Sequence, residues 1–270
     1  MKLELQNQTA VVVGGATGLG AAIAKGFANE GGRVAIIDLH PDTESLANNL
    51  TEGSPPYSQT LGILADATNF EAVKQARDAV VAQFGKCDHL IYAAGTGSGH
   101  YGFPFWNVPP DVWPRVLAVN LTGAVHAAQA FVPHLIQSQG TLCFLSSVAG
   151  QMGSQTDPPY SAAKAGLINF AQCAAKDLAP HGVRVNTICP GMIPTTLNQS
   201  VYEAWASQQP EDSRMTYEIW GEEKIQRVVP LRRWQTPEDI AAMALFLASP
   251  RAANITGQTL NVDGGFVMHW

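Results

Sequence analysis

Strand-like and helix-like stretches alternate along most of the chain. Thr9 to Val13 is a short β-branched run, Gly18 to Glu30 has helical spacing, and Arg33 to Ile37 is a second apolar run. This order is a βαβ unit, in which a helix connects two parallel strands. The pattern therefore predicts an α/β fold with a doubly wound parallel sheet and helices on both faces.

The same alternation continues to the end of the chain. Further strands are predicted at 61–65, 88–94, 141–146, 183–189 and 258–262, and further helices at 42–50, 70–84, 112–137, 160–179 and 237–247. Capping-box residues Thr68 to Glu71 and the cap at Thr236 mark two of the helix starts. We expect about seven strands in one domain over residues 1–270, with a substrate lid at 197–229.

Composition adds limits on partners and location. With 46% hydrophobic residues, 14% charged residues and a net charge of −6, the chain can bury a large core and is a poor binder of nucleic acid or anionic membranes. No secretory signal begins the sequence, and glycines or prolines interrupt the uncharged windows Leu5 to Ala24 and Leu90 to Pro110. We expect a cytoplasmic protein without a membrane helix. Its four cysteines lack metal-ligand spacing, so we expect reduced structural thiols and no metal site.

A glycine turn follows the first predicted strand and leads directly into a helix. Gly14, Gly18 and Gly20 lie in this turn. Glycines let the backbone approach an anion, and the free N–H groups of the helix start stabilise it. Ala21-Ala22 follow instead of Lys and Ser/Thr, so the turn is no P-loop. The pattern favours the pyrophosphate of a dinucleotide.

Asp38 ends the second strand, where a carboxylate can accept hydrogen bonds from a ribose and repel a 2′-phosphate. No Lys or Arg lies within the glycine turn or next to Asp38, so NAD is favoured over NADP. Asp66 ends the third strand and has two open interpretations, contact with an adenine or capping of the next helix.

Tyr160 and Lys164 lie four residues apart on one face of a predicted helix. A cation close to a phenol stabilises the phenolate and lowers the tyrosine pKa, which suits proton exchange with an alcohol or ketone. Ser147 follows a buried strand at the carboxyl end of the sheet, where open α/β folds bind ligands.

Taken together, these motifs make the chain resemble the short-chain dehydrogenase/reductases from Leu5 to Phe266. The resemblance rests on the glycine turn, Val119-Asn120-Leu121, Ser147, Tyr160 with Lys164, Pro190-Gly191 and Asn261 to Gly265. It implies a Rossmann fold and a nicotinamide-dependent oxidoreductase with the following catalytic roles. Tyr160 is the general acid/base, Ser147 holds the substrate oxygen, Lys164 binds the nicotinamide ribose and lowers the pKa of Tyr160, and Asn120 anchors a water that relays protons to Lys164.

The resemblance also implies a set of cofactor-binding residues. These are Gly14, Gly18, Leu19, Gly20, Asp38, Leu39, Asp66, Ala67, Ala94, Gly95, Asn120, Tyr160, Lys164, Pro190, Gly191, Ile193 and Thr195. The chain departs from the family at three places. Val13 stands where a threonine is usual, Tyr92-Ala93-Ala94-Gly95 replaces Asn-Asn-Ala-Gly, and the 197–229 segment is long, so bracing bonds must come from elsewhere or be absent.

Residue chemistry limits the substrate. The amino-acid sequence from Arg233 to Gly265 is similar to that of 3-oxoacyl carrier-protein reductases and of sugar or polyol dehydrogenases. Pro133 to Gly140 contains no Lys or Arg, and the lid has six acids against three bases, which disfavours a large anionic substrate. Aromatic residues are dense around the predicted mouth of the site: His100, Trp106, Tyr202, Trp205, Tyr217 and Trp220. They either cover a substrate or pack the lid onto the domain, and we favour packing for most of them. We interpret His100 as a solvated loop residue.

We therefore expect an NAD-dependent dehydrogenase that interconverts a secondary alcohol and a ketone on a small, uncharged, sugar-like or hydroxy-ketone molecule. Two alternatives stay open, an NADPH-dependent 3-oxoacyl carrier-protein or CoA reductase and a non-catalytic NAD-binding regulator or scaffold. The family resemblance implies a homotetramer, and the apolar end from Phe266 to Trp270 would suit an interface.

Overall fold

The computed structural model describes residues 2–56, 58–154 and 156–268. Two residues of the predicted apolar end, His269 and Trp270, lie outside the described residues. Met268, the last described residue, is 75% exposed.

A parallel sheet forms the centre of the fold. Its strands in the described part of the chain are β1 (Thr9–Val13), β2 (Arg33–Asp38), β3 (Gln59–Leu64), β4 (His89–Tyr92), β5 (Thr141–Leu145), β6 (Arg184–Pro190) and β7 (Thr259–Val262). They lie in the order β3-β2-β1-β4-β5-β6-β7, and every neighbouring pair is parallel. The predicted doubly wound sheet is confirmed. Because the order reverses between β1 and β4, a crevice opens there at the carboxyl ends of the strands.

Helices cover both faces of the sheet. The helices are α1 (Gly18–Asn29), α2 (Thr43–Asn49), α3 (Phe70–Phe84), α4 (Trp113–Leu117), α5 (Gly123–Ser138), α6 (Pro158–Leu178), α7 (Thr196–Ser207), α8 (Tyr217–Val228) and α9 (Pro237–Ala248). Alternate strand residues enter two separate cores. Val11 and Val13 of β1 pack in the core with α3, α5 and α6, whereas Ala10 and Val12 pack in the core with α1 and α9.

Two predicted helix features differ in the structure. Asn69 rather than Thr68 caps α3, because the Asn69 side chain accepts the backbone N–H of Ala72. The helix predicted over 112–137 is not α-helical throughout, since a π turn at Ala118–Thr122 joins α4 to α5. Hydrophobic spacing gave no sign of this turn, in which the helix takes up an extra residue. The Thr236 cap is confirmed as a full capping box.

One helical stretch, Pro110–Ser138, is long and apolar enough to cross a membrane by length and composition alone. Its residues Ala124, Phe131 and Leu135 are fully or almost fully buried in the core against the sheet. This packing accounts for its apolar character as a core helix.

Candidate active site

The glycine turn forms a cradle at the start of α1. Gly14 has a φ of +79°, and a side chain there would overlap the backbone of Ala94, two residues after the end of β4. A side chain on Gly20 would overlap the carbonyl oxygen of Gly14, whereas Gly18 has open space in front of it. The turn therefore requires glycine for its own close packing and leaves its open side to a ligand.

A crevice of about 600 Å³ extends from this cradle along the carboxyl ends of the strands. Thirteen of the predicted cofactor residues line it, namely Gly14, Gly18, Leu19, Gly20, Asp38, Leu39, Asp66, Ala67, Ala94, Gly95, Tyr160, Lys164 and Thr195. Pro190, Gly191 and Ile193 line the adjoining cleft instead. Asn120 lines neither and is fully buried. Arg115 of α4 also lines the crevice, and no local motif in the sequence predicted it.

The two acidic residues of the crevice make different hydrogen bonds. Asp38 accepts the N–H of Ala16 at 2.9 Å and that of His40 at 3.1 Å, so its carboxylate is held beside the glycine turn. Asp66 accepts both the N–H and the hydroxyl of Thr68 at 2.8 Å. These bonds close a turn before α3, whose cap is Asn69, so the capping interpretation of Asp66 is wrong, and its contact with an adenine stays a prediction.

Tyr160, Lys164 and Ser147 come together at the inner end of the crevice. Tyr160 lines both the crevice and the adjoining cleft, and Ser147 lines the cleft beside it. The Lys164 ammonium lies 5.5 Å from the centre of the Tyr160 ring and donates a hydrogen bond to the carbonyl of Leu145 at 2.8 Å. One helix, α6, carries the phenol and the ammonium on the same face, as their spacing predicted.

The predicted lowering of the Tyr160 pKa by Lys164 is wrong for this structure. Burial raises the pKa of Tyr160 to about 12, and the hydrogen bond with Ser147 only partly opposes this effect. Burial also lowers the pKa of Lys164 to about 8. Lys164 lies over the ring and donates to Leu145, and burial is the largest influence on the pKa of the phenol. The Tyr160 phenol is therefore protonated at neutral pH.

Asn120 lies in the π turn and uses its side chain to fasten neighbouring backbone. Its amide donates to the carbonyl of Thr96 at 2.7 Å and to that of Val116 at 2.9 Å, and its oxygen accepts the N–H of Thr96 at 3.3 Å. These bonds join the π turn to the loop that follows β4. The predicted water anchorage by Asn120 stays a prediction.

Tyr92 supplies a bracing bond at one of the places where the chain departs from the family. Its fully buried side chain donates a hydrogen bond from the hydroxyl to the carbonyl of Val119 at 2.5 Å. Val119 immediately precedes Asn120 in the π turn. A side chain at Gly123 would overlap the Tyr92 hydroxyl, so the glycine makes room for this bond. Sequence spacing gave no sign of it, because the partners are 27 residues apart.

Replacing Tyr92 with phenylalanine should lower the free energy of unfolding by about 1–3 kcal/mol, because a buried carbonyl loses its partner. It should also lower kcat, because the π turn that carries Asn120 loses its brace. Denaturant unfolding and steady-state kinetics measure the two effects. Tyr202→Phe is the matched control, since Tyr202 also donates its hydroxyl to a carbonyl, that of Met215 in the lid. Equal losses of kcat in both variants would contradict the positioning role.

A cleft of about 460 Å³ adjoins the crevice and lies under the lid. Its wall includes Ser147 and Tyr160 from the catalytic side, Tyr101 and Asp157 from a second side, and Lys224 of α8 from the lid. The lid consists of α7, a 3-10 turn at Glu211–Ser213 and α8. Asp157, Tyr101 and Lys224 were not predicted as site residues, because only the folded chain brings them to the cleft.

The lid aromatics pack mainly on one another. Tyr202 lies 5.4 Å from Tyr217 and 5.6 Å from Trp220 between ring centres, and Trp205 lies 6.2 Å from Trp220. None of these four rings lines the cleft. The interpretation of most aromatics as lid packing therefore agrees with the structure. His100 is half-buried in its loop, so its interpretation as a solvated residue stays a prediction, and Trp106 is 72% exposed.

The cysteines are free thiols. Cys87, Cys143 and Cys189 are buried, and Cys173 is exposed. Burial raises the pKa of Cys143 to about 12 and that of Cys189 to about 11, which keeps both thiols protonated and unreactive. Within residues 2–56, 58–154 and 156–268, no group of three His, Cys, Asp or Glu side chains is placed to hold a metal ion.

The sequence and the fold are similar to those of known oxidoreductases. A family model described as enoyl-(acyl carrier protein) reductase matches residues 14–267. The chain is 35% identical to sorbitol-6-phosphate 2-dehydrogenase of Escherichia coli over 97% of this chain and 99% of that protein. It is 31% identical to a 3-oxoacyl-(acyl-carrier-protein) reductase of Thermotoga maritima over 98% and 100% of the two chains. The solved structure of L-sorbose reductase from Gluconobacter frateurii, in complex with NADPH and L-sorbose, matches with a TM-score of 0.90 at 26% identity over 100% of both chains.

These similarities and the Rossmann sheet define an oxidoreductase that acts on a secondary alcohol or a ketone with a nicotinamide cofactor. The chain belongs to the short-chain dehydrogenase/reductase family. The glycine cradle, with its open side along the crevice, fits the pyrophosphate of such a dinucleotide.

Proposed function

We propose that the chain is an NAD-dependent dehydrogenase that interconverts a secondary alcohol and a ketone on a small polyol-like or sugar-like substrate without net charge. The observation that carries this proposal is the position of Tyr160, which lines both the dinucleotide crevice and the adjoining cleft. A proton donor at this junction can reach a substrate oxygen while the substrate carbon faces the crevice.

Each residue of the site has a separate task in this proposal. The Tyr160 hydroxyl donates its proton to the ketone oxygen in reduction, and the Tyr160 phenolate takes the alcohol proton in oxidation. Ser147 hydrogen-bonds the same substrate oxygen and so orients it. Lys164 holds the ribose next to the nicotinamide, and Asn120 fastens the loop at Thr96 beside it. The nicotinamide, when bound, accepts or supplies the hydride.

The preference for NAD rests on Asp38. The carboxylate lies beside the glycine turn at the end of β2, where it suits two free ribose hydroxyls and repels a 2′-phosphate. Leu39, the next residue, is 62% exposed and carries no charge that would attract a phosphate. We propose NAD on this electrostatic ground, although the sorbose reductase was solved with NADPH.

Asp38→Ala should therefore lower the ratio of kcat/KM with NAD to kcat/KM with NADP by about tenfold to a hundredfold, because a charged hydrogen-bond acceptor is lost. Steady-state kinetics with both cofactors measures the ratio. Asp42→Ala removes the same charge from an exposed position four residues away and should leave the ratio unchanged. A parent enzyme that used both cofactors equally would contradict the assignment.

A second candidate substrate is a polyol that carries a terminal anionic group. Lys224 lines the cleft, and among the described residues no carboxylate lies within ion-pair distance of its ammonium, which packs 4.7 Å from the centre of the Trp220 ring. The count of lid charges disfavoured anions, but Lys224 is the charged lid residue on the cleft wall. The name of the E. coli relative, sorbitol-6-phosphate 2-dehydrogenase, supports this candidate.

A spectrophotometric screen tests the proposal directly. Sugars, polyols, polyol phosphates, hydroxy acids and acetoacetyl-CoA are each offered with NAD or NADP in the appropriate direction. We expect NADH formation with a polyol. Faster NADPH oxidation with acetoacetyl-CoA would support the carrier-protein or CoA reductase alternative, and absence of turnover across the panel would support the scaffold alternative.

We further propose a cytoplasmic homotetramer. An apolar groove of about 790 Å³ runs beside the outer face of α6. Phe105 and Met152 line it with Trp106 and are 66% and 43% exposed. Apolar surface of this kind suits association between copies. Light scattering reports the assembly, and a monomer would contradict the proposal.

A further inference from the structure

Asp157 lies at the entrance to α6, three residues before Tyr160. It is 5% exposed and lines the cleft together with Ser147 and Tyr160. Its carboxylate accepts the N–H of Tyr160 at 3.4 Å, which caps α6, and the N–H of Ser98 at 2.9 Å, which fixes the loop after β4. The carboxylate therefore belongs both to the helix start and to the wall of the cleft.

Capping alone does not require a charge at this position. Asn, Ser and Thr cap helices as well as Asp does, and they avoid the cost of a buried carboxylate. Burial raises the pKa of the Asp157 carboxyl because the charged form is poorly solvated there. An ionised carboxylate has about four acceptor positions, of which the backbone bonds to Ser98 and Tyr160 use two and the Ser98 side chain uses a third. Acceptor capacity is left over beside the cleft.

The charge of Asp157 is not neutralised by a neighbouring cation. No Lys, Arg or His nitrogen in the described part of the chain lies within 4.0 Å of its oxygens. The titratable groups around it are His100 and Tyr101 on the loop after β4 and Tyr160 on α6. On the opposite wall the lid contributes Lys224.

Tyr101 completes this side of the cleft. It is 8% exposed, and its hydroxyl and the Asp157 carboxylate both lie next to Gly97. A Cβ on Gly97 would be 2.5 Å from the Tyr101 hydroxyl and 3.0 Å from Asp157 Oδ2. A phenol and a carboxylate are thus placed side by side a short distance from the groups that hold the reacting oxygen. Together they can accept from and donate to hydroxyls of one ligand.

We propose that Asp157 is a specificity-determining residue, whose carboxylate accepts a hydrogen bond from a hydroxyl group next to the reacting carbon. The substrate class is then a polyol or sugar with a free hydroxyl vicinal to the one that is oxidised. The same carboxylate repels a carboxylate or phosphate at that neighbouring carbon. This inference rests on the proposed function and adds the recognised group.

The test compares two classes of substrate on the parent enzyme and on Asp157→Asn. Asparagine has the same shape and keeps the helix cap, so the change removes mainly the charge. Threitol and sorbitol serve as hydroxylated probes, and 2-butanol and cyclohexanol serve as simple alcohols. We expect the ratio of kcat/KM for the hydroxylated probes to that for the simple alcohols to fall by about tenfold to a hundredfold, mostly through KM, as for loss of a hydrogen bond to a charged group.

Gly97→Ala is a second, independent variant. Its methyl group would crowd the Tyr101 hydroxyl, Asp157 Oδ2 and the side chain of Leu197 in the lid, while the oxygen that caps α6 is the other one, Asp157 Oδ1. We expect the same selective loss on threitol and sorbitol. This variant keeps the proposal testable if Asp157→Asn fails to fold, which thermal unfolding with bound NADH would reveal.

Three outcomes would overturn the inference. An equal loss on both classes would mean that Asp157 only positions Tyr160, and no loss on either class would mean that it has no part in recognition. Preference of the parent for 1-amino-2-propanol over threitol would mean that the carboxylate selects an ammonium instead. Failure of the proposed function looks different, because the parent would then turn over neither class.

Discussion

Tyr160→Phe should lower kcat by about a hundredfold to ten-thousandfold, the contribution typical of a positioned general acid or base. Phenylalanine keeps the ring against Lys164 and removes only the hydroxyl that exchanges the proton. NADH should still bind with an affinity within about tenfold of the parent, since Tyr160 is also a predicted cofactor residue and one hydrogen bond contributes about 0.5–1.5 kcal/mol. Steady-state kinetics and fluorescence titration with NADH measure the two quantities.

The control for this variant is Tyr202→Phe, which removes a hydroxyl from the lid and should keep kcat near the parent value. Activity of Tyr160→Phe within tenfold of the parent would contradict the assignment of the acid/base. Simultaneous loss of NADH binding would instead indicate damage to the crevice that Tyr160 lines.

The pH dependence follows from the protonation state of Tyr160. Burial raises its pKa to about 12, so the phenol is protonated at neutral pH and ready to donate in ketone reduction. Oxidation needs the deprotonated form, so its rate should rise with pH, whereas reduction should fall only as the pH approaches this pKa. In Tyr160→Phe the residual rates should lose this dependence.

Gly20→Ala should weaken NADH binding by about tenfold to a hundredfold, equivalent to the 1–3 kcal/mol typical of an overpacked site. The new methyl group would overlap the carbonyl oxygen of Gly14, so the cradle must open. Isothermal titration measures the affinity, and thermal unfolding reports whether the fold survives.

Gly166→Ala is the matched control for Gly20→Ala. Gly166 lies within α6, and a methyl group there would meet only the flexible side chain of Leu121. Alanine also favours the helix by about 1 kcal/mol relative to glycine. We expect NADH affinity to be unchanged in this control. Retained affinity in Gly20→Ala would show that the cradle tolerates a side chain and does not hold the pyrophosphate.

Local spacing explains what the sequence could predict. The alternation of apolar runs determines the parallel sheet, and the glycine turn between β1 and α1 determines the cradle, because neighbouring residues form both. The same holds for Tyr160 and Lys164, which are one helical turn apart. The spatial arrangement of such features follows directly from the spacing of the residues along the chain.

Features that depend on distant residues escaped prediction. Tyr92 reaches Val119, and Ser98 reaches Asp157 across 59 residues, so no spacing rule connects them. The raised pKa of Tyr160 was missed for the same reason, because burial is a property of the folded chain. The π turn at Ala118–Thr122 is defined by backbone hydrogen bonds, which apolar spacing does not report.

The self-packed rings of the lid have a consequence for the cleft. Tyr202, Tyr217 and Trp220 hold α7 and α8 together by contacts within the segment itself. The segment is inserted between β6 and β7, so its replacement leaves every strand pairing of the sheet in place. A change of this segment would therefore reshape the lid side of the cleft, where Lys224 lies, without removing a strand of the sheet.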